Sequence, residues 1–312
     1  MATTPKRHFL RFSLRALLLF MPVVSVAMRC EIVRRRANRQ REAVAWIKNL
    51  SGTVRYNPEA FGPDWLRNHL GRDFFDEVEY VSLSDSPTDV TPLSRLNRLK
   101  TLVLHDRRSW QKGLSLGVDL TPLAGLMQLT FLDLEFTRVN DVSHLAGLIR
   151  LEGLSLSHTR VRDVSPLAGL KHLEALNLCD TNVSDVTILS EFKHLKELNL
   201  VGTQVNDLTP LAELEHLTRL EIYHTRVADL TPLAGLTTLE YLGLRDTPVS
   251  DVAPLSQLTR LKQLNINRTK IHNVAPLAAL TSLRFLYLSG TKVSDEALKR
   301  LRKSLPHFEI VR

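Results

Sequence analysis

Cysteine is nearly missing from this chain: two residues among 312, Cys30 and Cys179. One stands beside an N-terminal apolar segment and the other far down the chain, so no disulfide framework is expected and the core must hold without staples. Catalytic signatures are missing too. The sequence has no nucleophile elbow, no phosphate-binding glycine loop, no HExxH and no paired CxxC. The expectation is a protein that is not an enzyme and needs no cofactor. Basic charge is scarce where it would matter for nucleic acid. Of a net charge of +8, residues 1–77 supply +7, with 14 Lys+Arg against 7 Asp+Glu, and the remainder supplies +1, with 27 against 26. A nucleic-acid binder shows its basic residues on the folded face, so no nucleic-acid partner is expected. Finally, long charge-free apolar runs are absent. The longest near the N-terminus, Ala16 to Met28, has 13 residues, short of the roughly 20 that span a bilayer.

What is present begins with that N-terminal segment. Counted from Phe9, the apolar stretch reaches 20 residues but includes Arg11 and Arg15, which lie near one end and can snorkel to headgroups. Ser25 and Ala27 suit a cleavage site before Met28, yet Arg29, Arg34, Arg35, Arg36, Arg39 and Arg41 follow at once and oppose export of a cleaved product. A lipoprotein reading of Cys30 fails because Arg29 precedes it. Residues 1–36 therefore read as a basic tail with an uncleaved single-pass anchor at 9–28. The array behind it is expected to be exported, with the arginine cluster against anionic lipid.

Residues 37–77 read as an N-terminal cap. "ANRQREAVAWIKNL" places Ala43, Trp46, Ile47 and Leu50 on one helical face. "VRY" reads as a short strand, and "GPDWLRNHL" at 62–70 as a second short helix. From 78 to 293 the chain repeats. Units start at Leu129, Leu151, Leu173, Leu195, Leu217, Leu239, Leu261 and Leu283, each 22 after the last. They follow a 21-residue unit from Val78 and a 30-residue unit from Leu99. The pattern is L-x-x-L-x-L-x-x-T-x-V-x-D-[VL]-[STA]-P-L-x-x-L-x-x. L-x-x-L-x-L turns alternate side chains inward from a short strand. Ser/Thr-Pro reads as an N-cap and first-turn proline, so one helical or 3₁₀ turn should form the convex side. Asp141, Asp163, Asp185, Asp207, Asp229, Asp251 and Asp295, with Asn273 among them, read as turn caps and not as a calcium ladder. Residues 294–312 close the array: Ser294 caps an amphipathic helix and "HFEIVR" supplies a last strand.

This pattern resembles leucine-rich repeat proteins of the 22-residue class, the bacterial internalins and the phosphatase-regulating subunits of eukaryotes, which share the "D-[IV]-[ST]-P-L-x-x-L" half. The resemblance covers residues 78–312 and implies an α/β solenoid with a curved parallel sheet on the concave side and short turns on the convex side. It implies a non-catalytic, monomeric scaffold that binds protein or peptide on the concave face, here at a membrane. The competing function is a regulatory subunit that modulates a cytoplasmic enzyme such as a phosphatase. Where that family has Asn, this chain has Thr137, Thr159, Thr181, Thr203, Thr225, Thr247, Thr269 and Thr291. A threonine ladder is expected to satisfy backbone groups inside the turn.

Residues two, four and six after each first leucine should face outward on the concave side. The middle units offer small side chains there, while the C-terminal half gathers Arg219, Glu221, Tyr223, Tyr241, Arg245, Asn265, Asn267, Phe285 and Tyr287, with His224 and Arg268 beside them. Tyr, Phe and Arg suit a protein-binding patch. His172, His194 and His216 share one repeat position and should stack, as solvent-facing turn residues and not a metal site. Cys179 lies on the concave face without an activating partner. No metal is expected.

Overall fold

The computed structural model describes residues 14–57, 71, 73, 75–84, 87–106 and 117–312, without the side chains of 14–24, 26 and 27. The short helix expected at 62–70 and most of the insertion in the Leu99 unit lie outside these residues. Helix α1 runs from Leu14 to Asn49 without a break across residue 36. Its C-terminal part buries Ala37, Gln40, Ala43, Val44 and Ile47 against the first strands. There the helix caps the sheet, and Gln40 Nε2 donates to the Asp76 carbonyl at 2.7 Å. The apolar segment 9–28 falls mostly outside the described side chains. Among the described residues no helix is long and apolar enough to cross a membrane.

Twelve strands form one sheet in chain order. β1 (Thr53–Tyr56) pairs antiparallel with β2 (Val78–Leu83). All later pairings are parallel, through β3 (Thr101–Leu104), β4 (Phe131–Asp133), β5 (Gly153–Ser155), β6 (Ala175–Asn177), β7 (Glu197–Asn199), β8 (Arg219–Glu221), β9 (Tyr241–Gly243), β10 (Gln263–Asn265), β11 (Phe285–Tyr287) and β12 (Glu309–Val311). The 22-residue period sets the register: Leu132, Leu154, Leu176, Leu198, Leu220, Leu242, Leu264 and Leu286 pair in succession. All of them are buried. Each leucine removed from water contributes about 1.5–3 kcal/mol, so every repeat holds to its neighbours through the same row.

Nine 3₁₀ turns among the described residues form the opposite side, from Thr91–Arg95 to Ala275–Ala279. Here the sequence reading of the cap is corrected. Ser165 or Thr209 is the first residue of its turn and caps nothing with its side chain; the N-cap position belongs to Val164 or Leu208. The aspartate does the capping: Asp163 Oδ1 accepts from the Ser165 N–H at 2.8 Å, and Asp207 Oδ1 from that of Thr209 at 2.8 Å. Proline is secondary, because the turns at Ser143–Leu145 and Thr187–Glu191 form without it. Both keep the aspartate bond, at 2.8 and 2.9 Å. Asp295 departs from the row. It opens helix α2 (Asp295–Ser304) and pairs with Arg312, while Ser294 caps that helix by accepting from the Ala297 N–H.

The threonine hydroxyls satisfy backbone groups inside the turn, as their row in the sequence suggests. Each donates to the carbonyl three residues back in its own repeat, as in Thr203 Oγ1 to Leu200 O at 2.6 Å and Thr225 Oγ1 to Ile222 O at 2.7 Å. The same bond recurs from Thr137 to Thr291.

The candidate concave binding face

Alternation along each strand brings the expected residues to one surface. β8 shows it: Arg219 is exposed, Leu220 buried and Glu221 half-buried. Arg219 and Tyr241 are directly opposed in the β8–β9 register, and the guanidinium lies over the Tyr241 ring, 3.9 Å from its centre. Arg219 Nε donates to Glu221 Oε1 at 2.9 Å. The Tyr223 and Tyr241 hydroxyls hydrogen-bond to each other. Tyr223 lies flat against the next repeat because that repeat has glycine there: a Cβ on Gly243 would come within 2.2 Å of the Tyr223 ring. Burial, then the Tyr241 hydroxyl and the Glu221 carboxylate, push the Tyr223 phenol well above its ordinary range, so it stays a neutral donor. Cation–π stacking, a half-buried tyrosine pair and an ion pair thus lock four of the named residues into one rigid cluster.

A second group sits at the strand ends. The Asp246 carboxylate receives Arg245 Nε at 3.0 Å, with His224 Nδ1 at 3.6 Å and Arg268 Nη1 at 3.8 Å. Asn265 and Asn267 face the concave side but spend their acceptor oxygens on the backbone. Asn265 Oδ1 accepts from the Asn267 N–H at 3.0 Å, and Asn267 Oδ1 from that of Ser289 at 2.6 Å. Asp133, Asn177 and Asn199 make the same local turn in their own repeats. The outward position four after the first leucine is therefore partly a strand-end lock, which alternation alone does not reveal. Phe285 and Tyr287 extend the face on β11, both half-buried.

The face continues where the sequence looked bland. Ser155, Ala175, Asn177 and Asn199 are short, and the sheet above them opens into a groove of about 330 Å³. Phe131 stands at one end and Arg219 with Glu221 at the other, and Asp133, Glu135 and Glu197 also line it. The sequence places these carboxylates and small residues on the outward face, but the hollow between them was not legible there; the short side chains of Ser155 and Ala175 were the available signal. At the Phe131 end, His105 Nε2 meets Asp133 Oδ2 at 2.9 Å. That hydrogen bond raises the imidazole pKa above its ordinary value, against the effect of burial.

The histidine row behaves as expected of turn residues. His172, His194 and His216 are exposed, and their parallel rings lie 6.5 and 6.2 Å apart, too far for one shared ion. Burial and the Asp180 carboxylate push the half-buried Cys179 thiol up to about 12, so it is no nucleophile at neutral pH.

A ladder of left-handed backbone went unread in the sequence. The eighth residue of successive repeats has positive φ: Phe136 63°, His158 54°, Asp180 51°, Gly202 68°, His224 55°, Asp246 56°, Arg268 55° and Gly290 70°. Only two of these eight are glycine, so composition gave no sign of the turn. Each non-glycine member carries a steric cost of roughly 1 kcal/mol or more, which the stacked repeats on either side must hold in place.

Sheet, turns and caps define a leucine-rich repeat solenoid with one continuous concave face. A family model described as "Leucine Rich repeats (2 copies)" matches residues 149–192. Among solved structures, internalin C2 of Listeria monocytogenes is 31% identical with a TM-score of 0.55, over 62% of this chain and 84% of that one. Internalin F of the same organism is 29% identical with a TM-score of 0.67, over 74% of this chain; the match spans 65% of that chain's length. The plant peptide hormone receptor RGFR1, solved in complex with RGF2, shares the fold at 18% identity, with a TM-score of 0.59 over 76% of this chain and 39% of that one. No curated protein matches the sequence. The chain belongs to the internalin-like leucine-rich repeat family.

Proposed function

We propose that this protein is a membrane-anchored scaffold whose concave face captures an extended protein or peptide segment. The carrying observation is the cluster of Arg219, Glu221, Tyr223 and Tyr241, assembled beside a groove of about 330 Å³. Such a surface is rigid and amphipathic, so binding costs little side-chain ordering. Asp133, Glu135, Glu197 and Glu221 line the groove against one guanidinium. Its occupant carries a basic side chain that lies between Phe131 and Arg219, followed by an apolar one against the tyrosines. The peptide held by the plant receptor gives a precedent for this fold, not for this ligand.

Anchoring is supported by the apolar stretch at 9–28 and by its continuation. On α1, Met28 and Ile32 are 63% exposed, and Arg29, Arg34, Arg35 and Arg39 are exposed around them. Apolar and basic side chains together on a helix suit a bilayer surface with anionic headgroups.

The test is selection of basic peptides from a displayed library on the purified chain, then comparison with the Tyr223→Ala/Tyr241→Ala variant. Affinity should fall at least about tenfold, a loss of roughly 1.4 kcal/mol, with the repeat fold intact by circular dichroism. Equal affinity moves the site elsewhere. Protease treatment of intact cells carrying a C-terminal tag tests the anchor. An exported array is digested from outside; a protected one favours the regulatory subunit of a cytoplasmic enzyme.

A further inference from the structure

Two adjacent repeats bring three different metal-ligating side chains to one point on the rim of the concave face. His158 comes from one repeat, and Cys179 and Asp180 from the next. Their ligand atoms all lie within 4.8 Å of one another. Asp180 Oδ2 is 3.5 Å from His158 Nδ1 and 3.6 Å from Cys179 Sγ.

We propose that His158, Cys179 and Asp180 form a zinc site. Tetrahedral zinc, with bonds of about 2.3 Å to sulfur and 2.0–2.1 Å to nitrogen or oxygen, separates its ligands by about 3.3 Å for an N/O pair and about 3.6 Å for an S/O pair. The two measured separations match edges of that tetrahedron. The donor set selects the metal: imidazole with thiolate favours zinc, while calcium and magnesium call for several oxygens. Cys179 gives up its thiol proton to solvent as its Sγ–metal bond forms, and His158 binds as neutral imidazole. The chain supplies three ligands, and Asp180 is exposed. The fourth position takes water or a side chain of a bound partner, as in open zinc sites.

The surroundings hold these ligands in place. Phe136 stacks on the His158 ring at 4.5 Å and 10°. His158 and Asp180 both sit on left-handed backbone, at φ 54° and 51°, which sets their side chains next to each other across the two repeats. Gly202 follows in the same row and leaves room for the carboxylate, since a Cβ there would fall 2.1 Å from Asp180 Oδ1. The Cys179 N–H is fixed by Asn177 Oδ1 at 3.0 Å.

The other mixed cluster, His105 with Asp133 and Glu135, lacks these features. There Nε2 and Oδ2 are 2.9 Å apart, closer than two ligands of one zinc, and no sulfur is present. It is an ion pair of the groove.

The experiment uses the full chain in detergent with Cys30→Ser, so that Cys179 is the only thiol. Cobalt(II) is titrated as the probe. The expected result is one equivalent bound, with a sulfur-to-cobalt charge-transfer band in the near ultraviolet that zinc displaces. Cys179→Ser should abolish the band. His158→Asn, a residue that accepts left-handed backbone, should weaken binding by at least the 10–100-fold typical of losing even an outer-shell partner, without altering the melting curve. No band, or a band insensitive to both His158→Asn and Asp180→Asn, overturns the site.

Discussion

Threonine in the ninth place of the eight 22-residue repeats is small, polar and nearly always buried. Thr203 is 4% exposed, and its hydroxyl meets the Leu200 carbonyl at 2.6 Å. Valine has the same shape but no donor, so Thr203→Val leaves that carbonyl without the hydroxyl. The Thr203 N–H still reaches that carbonyl at 3.2 Å, so we expect a loss of about 0.5–1.5 kcal/mol, read by denaturant unfolding. An unchanged midpoint would mean that the carbonyl is satisfied without the hydroxyl. Gly243 makes the complementary point. Its missing side chain is the space Tyr223 occupies. Gly243→Ala should displace that ring and weaken peptide capture while the strand, held by Leu242, stays paired; capture equal to wild type would separate the ring's position from binding.

At the scale of the element, the convex turns depend on exposed carboxylates. Asp89, Asp119, Asp185, Asp207 and Asp229 are held below the usual aspartate range, first by the threonine hydroxyl two residues on and then by its N–H. Asp141 is held low first by the Ser143 N–H. A folded pKa below the unfolded one gives stability that is fully present above the unfolded value, about 3.9, and is lost as pH falls through the folded value. Stability should therefore decline below about pH 4. The natural repeat with Asn273, whose Oδ1 accepts from the Ala275 N–H at 3.0 Å, shows that the bond needs no charge. Replacing Asp185 and Asp207 by Asn should flatten the acid decline, measured as melting temperature against pH. An equally steep decline would place the acid sensitivity elsewhere.

At the scale of the molecule, each repeat is covered only by its neighbours, so the ends need separate protection. Helix α1 covers the first strands with Ala43 and Ile47. Helix α2 covers the last with Leu298 and Leu301, and the link from α2 to β12 does so with Leu305 and Phe308. A chain ending at Gly290 would uncover Leu286 and Leu288, both at most 4% exposed in the full array. It should self-associate on size-exclusion chromatography and melt earlier; a monomeric, equally stable product would show that the terminal cap is dispensable.

Read alone, the chain already shows the repeat length, the inward leucines, a short strand after the first leucine of each 22-residue unit, the aspartate caps and the closing helix. These follow from local spacing, and each recurs until chance is excluded. Tertiary structure decided which outward side chains act together. Arg219 reaches Tyr241 because residues 22 apart become neighbours across parallel strands spaced about 4.8 Å. His158, Cys179 and Asp180 meet for the same reason, in a row whose left-handed turns carry few glycines to betray them. The hollow of the concave face was hidden because an absence of bulk has no motif. It appears only when Ser155, Ala175, Asn177 and Asn199 are laid side by side.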